Sequence, residues 1–170
     1  MPEKRTLQLA KQEAREGKAP STQAGEFVRG EMEHIRKGKH GARSTKQAIA
    51  IGLSKARRAG VKLPPPEKGT VSEETRRSAA SASRKGQSGD TDVSPTRSRA
   101  ITAVLKREGH AAASKKELAQ QARSAARRRG ATARSAAAKK AVRTKGPAAR
   151  SAAAQKAART RARHRAKGAG

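Results

Sequence analysis

The stretch Gly38–Pro66, GKHGARSTKQAIAIGLSKARRAGVKLPPP, carries the punctuation that decides the fold. Ser44, with Gln47 three residues later, has the form of a capping box, in which two side chains satisfy the free N–H groups of a first helical turn. Ala48, Ile49, Leu53 and Ala56 follow as an apolar stripe at helical spacing, with Lys46, Lys55, Arg57 and Arg58 around it. Gly60 suits the position just past a helix end, and Val61 is placed to fold back on Leu53 or Ala56 in a Schellman ending. Pro64, Pro65 and Pro66 then stop the helix, because proline lacks a backbone donor and favours an extended chain. Propensity alone does not hold so short a helix in water. It needs a neighbour.

That neighbour lies upstream. Residues near 4–16 have helix-forming composition, with Leu7, Ala10 and Ala14 on one side, before Gly17 and Pro20 interrupt. Ser21 or Thr22 is placed to cap a second helix with the stripe Ala24, Phe27 or Val28, Met32 and Ile35, and Gly38 ends it. Glu26, Glu31 and Glu33 alternate there with Arg29, Arg36 and Lys37, a pattern suited to surface ion pairs. Phe27, Val28, Ile35, Ile49 and Leu53 form the expected contact between the second and third helices. At about 1.5–3 kcal/mol per fully buried large side chain, that is a miniature core.

Downstream, residues 67–93 are polar and rich in Ser and Gly and read as a flexible linker, with a transient helix over Ser72 to Lys85. Ser94 and Pro95 open a further helix whose short apolar face is Ile101, Val104 and Leu105, ended by Gly109. After the turn GHAAAS, Ser114 and Glu117 form a second capping box for a helix from Lys115 to Arg129, closed by Gly130, with the weak stripe Leu118, Ala122, Ala125 and Ala126. The rest repeats itself: ARSAAAKKA at Ala133–Ala141 returns as ARSAAAQKA at Ala149–Ala157, broken by Gly146 and Pro147. The expected organisation is a small helical module over 1–63, a linker over 64–93, a helical hairpin over 94–130 and a low-complexity Ala/Lys/Arg tail over 131–170.

Composition sets the expected fold class. Of 170 residues, 42 are Lys or Arg and 13 Asp or Glu, a net charge of +29, and Phe27 is the one aromatic residue. The hydrophobic fraction is 33%, but most of it is alanine, which buries little area against roughly 1–2 kcal/mol of backbone entropy per ordered residue. Such a balance is the signature of disorder. The expectation is therefore a mostly disordered chain with short α-helices. There is no cysteine, which removes disulfides and thiolate chemistry. The longest apolar run, AIAIGL, is far short of the roughly 20 residues of a membrane span, and the N-terminus has no apolar signal region. A cytoplasmic protein without a membrane partner is expected.

The charge is uneven. Residues 1–69 carry a net +9, residues 70–117 a net +4, and residues 118–170 a net +16 with no acidic residue. An anionic partner follows, and the lack of Trp, Phe or Leu in the basic half favours nucleic acid over a membrane surface. The expected phosphate contacts are Lys55, Arg57, Arg58, Arg123, Arg127, Arg128, Arg129, Arg134, Lys139, Lys140, Arg143, Lys145, Arg150, Lys156, Arg159, Arg161, Arg163, Arg165 and Lys167. Double-stranded DNA is favoured because single-strand binders stack bases on aromatic rings, and Phe27 reads as core. The chain has no Asn, and no rigid base-reading set stands out, so binding is expected to be independent of sequence and the tail disordered until bound.

No enzyme is expected. GEFVRG at Gly25–Gly30 has the glycine spacing of a P-loop but lacks the Lys-Ser/Thr that follows in one. His34, His40, His110 and His164 are scattered and read as surface histidines, and no core is large enough for a substrate pocket. No cofactor, metal or small-molecule substrate is expected.

Over Arg15–Pro66, and above all in KHGARSTKQAIAIGLSKARRAG at Lys39–Gly60, the chain resembles a family of small basic bacterial proteins. Its members carry a domain of unassigned function and are often labelled DNA-binding or plasmid-stabilisation proteins. SRAITAVLKREGHAAASKKELAQQARSAARRRG, Ser98–Gly130, resembles the C-terminal half of such proteins. The tail is similar in composition to bacterial histone-like and linker-histone tails. The resemblance implies a nucleoid-associated role and no catalytic residues. Two alternatives stand beside it: an RNA- or ribosome-associated basic protein, and an adaptor whose residues 21–60 dock a protein partner while the tail anchors it.

Overall fold

Glycines end the first three helices, and the chain turns back on itself at each of them. In the computed structural model, which describes residues 3–89 and 94–167, the elements are α1 (Lys4–Arg15), α2 (Pro20–Arg36), α3 (Thr45–Arg58), α4 (Glu73–Gln87), α5 (Pro95–Arg107), a 3-10 turn (Ala111–Ala113), α6 (Lys115–Arg128) and α7 (Gly130–Lys167). The chain divides into two units, Met1–Gln121 and Ala122–Gly170, and the boundary falls within α6.

The opening stretch folds as its residues dictate. Ser44 caps α3, its hydroxyl accepting from the Gln47 N–H at 3.2 Å, while Gln47 Oε1 accepts from the Arg43 N–H at 2.7 Å. At the other end Val61 N–H donates to Ala56 O and Gly60 N–H to Arg57 O, with Gly60 at φ +89°, which is the Schellman pair. Val61 is buried beside Ala56. In α2 the stripe Ala24, Phe27, Met32 and Ile35 is buried, but the start differs from expectation: Ala19 is the N-cap without a side-chain cap, and Pro20 occupies the first turn, where its missing N–H costs nothing.

The first unit holds two small cores. Met32, Ile35, Ala42, Ala48, Ala112 and Ala113 form one, with Val28, Ile49 and Leu118 against it. Ala10, Ala24, Phe27, Ala56 and Val61 form the other, with Leu7, Leu53 and Leu63. Large side chains are scarce in both, and backbone proximity replaces them. A Cβ placed on Gly52 of α3 would lie 2.8 Å from Val28 Cα, and one on Gly86 of α4 only 1.9 Å from Arg57 O.

These contacts overturn the expectation of a mostly disordered chain. Alanine and glycine bury little area each, but they let helix backbones approach until dispersion contacts are made along the whole crossing. The linker reading of 64–93 is corrected in the same way. Ser72 caps α4, accepting from the Thr75 N–H at 3.2 Å, and Ala79, Ala82 and Ser83 are buried. The proline segment is held rather than free: Arg57 donates to Pro64 O at 3.0 Å and Ser83 Oγ to Leu63 O at 3.2 Å. Residues 90–93 of the linker reading, residues 1–2 of the first module and residues 168–170 of the tail lie outside the described residues.

The expected hairpin over 94–130 is also corrected. Its helices form near the expected bounds, but α5 has no buried residue, and Ile101 and Val104 are more than half exposed. What docks is the turn between them. Thr45 Oγ1 donates to Ala112 O at 2.6 Å, Arg36 Nε to Ala113 O at 2.9 Å, Gly41 N–H to Leu105 O and Ala42 N–H to Gly109 O. The side chains of Ala112 and Ala113 enter the core of α2 and α3 because they are small enough to fit between them.

The tail is helical rather than disordered. α7 runs to Lys167, with a break at Gly146 (φ +66°, ψ 169°) ahead of Pro147. Alanine is the best helix former, by up to about 0.7 kcal/mol over ordinary residues, and Lys and Arg rank close behind it. Each like-charge pair a turn apart costs only about 0.2–0.5 kcal/mol. Propensity wins. No described helix is long and apolar enough to cross a membrane.

Candidate nucleic-acid interface

The second unit has no acidic residue among its 16 Lys and Arg. Arg123, Arg127, Arg128 and Arg129 lie on or just after α6 and are exposed, as are Arg134, Lys139, Lys140, Arg143, Arg150, Lys156, Arg159, Arg161, Arg163 and Arg165 on α7. The side chains of Lys145 and Lys167 lie outside the described residues. At 100° per residue the charges of α7 fall all around its axis, so no apolar stripe survives. The break at Gly146 divides α7 into two helical runs, residues 130–145 and 147–167, whose helical rises are about 24 and about 32 Å. Among the described residues none of these cations is held in an ion pair; Arg128 and Arg150 make only local hydrogen bonds, to Ser124 Oγ and Gly146 O.

The three expected contacts in the first unit fare differently. Arg58 is exposed. Arg57 is 6% exposed, and burial pushes its guanidinium down from its ordinary value; it serves to hold Pro64. Lys55 turns inward, its Nζ 2.5 Å from Glu31 Oε2. Neither Arg57 nor Lys55 presents a free cation to a phosphate track. Phe27, 2% exposed, is core.

Glu31, Lys55 and two histidines form a second polar site, inside the first unit. The Schellman turn at Gly38 (φ +70°), with Lys39 N–H donating to His34 O, brings Lys39 and His40 back toward the last turns of α2. Glu31 and His34 share a helical face there, three residues apart. Glu31 is 2% exposed, His40 Nε2 lies 3.3 Å from its Oε1, and the His34 and His40 rings meet edge to face at 6.1 Å. Glu3, ahead of α1, reaches His34 Nε2 at 2.8 Å and Lys39 Nζ at 2.6 Å. The hydrogen bonds from Lys39 and then His34, with their charges, hold the Glu3 carboxyl down to about 2. The surface-histidine reading is thus corrected for His34 and His40, whose side chains are 15% and 13% exposed. Composition hid this cluster; the signal that could have found it is Glu31-x-x-His34 followed by a helix-ending glycine that returns His40 to the same face.

A family of unknown function, DUF6496, matches residues 12–68, the segment from late α1 to the turn before α4. No curated protein and no solved structure matches the chain.

Proposed function

We propose that the chain is a non-enzymatic, nucleoid-associated protein that binds duplex DNA through phosphate contacts, with residues 122–170 as the binding element and the first unit as its folded platform. The observation that carries this reading is an exposed helical segment with 16 cations, no acid and no ion pair among its described residues. Such a segment neutralises phosphates and releases counter-ions, which drives association without reading bases. Burial of Phe27 removes the one ring on which an unpaired base would stack, which favours duplex over single strand. A plasmid-maintenance role is compatible with this chemistry.

The test is a salt titration of full-length protein, and of protein ending at Gln121, on duplex DNA, single-stranded DNA and structured RNA. If 6–10 phosphates are neutralised, duplex affinity of the full chain falls by about 10³–10⁵ between 50 and 200 mM salt. The shortened protein is expected to lose most of the affinity. Preference for RNA at physiological salt, or undiminished duplex binding by the shortened protein, would refute the reading.

A further inference from the structure

We propose that Glu31, His34 and His40 form a divalent transition-metal site, best matched to zinc, that staples the end of α2 to the loop returning from it. One donor atom from each residue lies within 4.8 Å of the others. Two imidazoles and one carboxylate are a donor set that zinc takes readily.

The hydrogen bonds fix which atoms are free to coordinate. His40 Nδ1 lies 3.0 Å from Gly41 O, a carbonyl that can only accept, so Nδ1 carries a proton and Nε2 is the nitrogen that can offer a lone pair. That lone pair faces Glu31 Oε1 at 3.3 Å without a hydrogen bond, and Oε1 is a buried acceptor without a partner. Two acceptors at that distance repel unless a proton or a metal cation sits between them. The spacing is also the one a tetrahedral zinc imposes: with bonds of about 2.0–2.2 Å, adjacent ligand atoms stand about 3.3–3.6 Å apart. Lys55 occupies the other carboxylate oxygen, Oε2, and so leaves Oε1 for the ion.

The surroundings have the form of an outer shell. Ligating histidines donate their second ring N–H to a carbonyl or carboxylate, which orients the ring and raises its basicity. His40 does so to Gly41 O. His34 Nε2 stands 2.8 Å from Glu3 Oε1, so the ring's Nε2–H is directed to that carboxylate and Nδ1 is the nitrogen left to coordinate. A site here joins residues whose own apolar contacts are thin, the circumstance in which small folds take a structural metal.

The experiment uses the full chain free of any affinity tag. Zinc chloride is titrated by calorimetry, with magnesium chloride as the comparison, while the histidine ring signals of ¹⁵N-labelled protein are followed by NMR. One equivalent of zinc is expected to bind and to move the rings of His34 and His40, magnesium to do neither. His40→Ala is expected to lower zinc affinity by about 100-fold or more, beyond the 10–100-fold typical of losing an outer-shell partner. The His110→Ala/His164→Ala variant is expected to bind as the parent does. The ring signals are read on the unsubstituted protein, so the result stands even if a variant misfolds. Absence of stoichiometric binding, or shifts confined to His110 and His164, would overturn the proposal. So would a His40 ring that keeps protons on both nitrogens in the presence of zinc, which would assign the contact to an imidazolium–carboxylate pair.

Discussion

Gly52→Ala tests whether backbone proximity holds α2 against α3. A Cβ at Gly52 would stand 2.8 Å from Val28 Cα and 3.0 Å from Val28 N, where ordinary contact begins at 3.4 Å. The two nearest of the obstructing atoms are backbone, so moving the Val28 side chain, whose Cγ2 would stand 3.1 Å away, does not relieve the contact; the helices must part by about 0.6 Å at the crossing. A gap of about 0.5–1 Å forfeits a quarter to a half of the dispersion well of the atoms it separates. Overpacking of this kind costs about 1–3 kcal/mol. Alanine returns up to about 1 kcal/mol through helix propensity, so the expected net loss is about 1 kcal/mol. Gly25→Ala supplies the comparison. It lies within α2, nothing stands within 4 Å of its added Cβ, and it should gain about 1 kcal/mol. The two variants therefore differ by about 2 kcal/mol, or roughly 8–16 °C in midpoint at about 4–8 °C per kcal/mol for a domain near 100 residues. Scanning calorimetry is the assay, with amide exchange in α2 and α3 as the local check, because α7 contributes a helical signal of its own. A Gly52→Ala protein as stable as Gly25→Ala would refute the close-packing account.

Two further substitutions probe the same unit. Thr45→Val removes the 2.6 Å hydrogen bond to Ala112 O and leaves a buried carbonyl unpaired, so a loss of about 1–3 kcal/mol is expected, with amide protection falling first around residues 105–113. Equal loss of protection in α1 would count against that local anchor. Glu3→Gln tests the carboxylate that joins Lys39 and His34. Its folded value, about 2, lies below its unfolded value near 4.5, so its contribution is present above pH 4.5 and is lost as pH falls toward 2. Parent and variant should therefore differ in melting midpoint at neutral pH and converge near pH 2; a constant difference across that range would show that the carboxylate's charge is not what matters. Glu3 is solvent-exposed, which keeps the effect small.

The parts of the fold legible in the sequence are those written in two signals, apolar spacing and helix punctuation. Ala24, Phe27, Met32 and Ile35 mark the buried face of α2, and Ser44, Gly60 and Val61 set both ends of α3. The docking of α4 was not legible, because Ala79, Ala82 and Gly86 look like linker residues until another backbone stands close enough to use their smallness. The docked turn at Ala112 and Ala113 was hidden for the same reason. In the tail, low complexity and high charge read as disorder, whereas alanine's helix propensity outweighs the few tenths of a kcal/mol that each like-charge pair costs. The basic residues of the second unit could be named from sequence. Lys55 and Arg57 could not be told from them until their inward partners, Glu31 and Pro64, were seen. Nor did the spacing of His34 and His40 show that a chain reversal would return one to the other.

The break at Gly146 and Pro147 separates the two copies of the tail repeat, ARSAAAKKA before it and ARSAAAQKA after it. Each copy sits on its own helical run, and neither run has an apolar face that a partner segment must match. A copy added or removed would therefore disturb no buried contact among the described residues. Under the phosphate-binding reading, each copy added would steepen the dependence of affinity on salt, since that slope scales with the number of phosphates neutralised. Copy number in the tail would then set the ionic strength at which the protein lets go, as valency does in a synthetic polyelectrolyte.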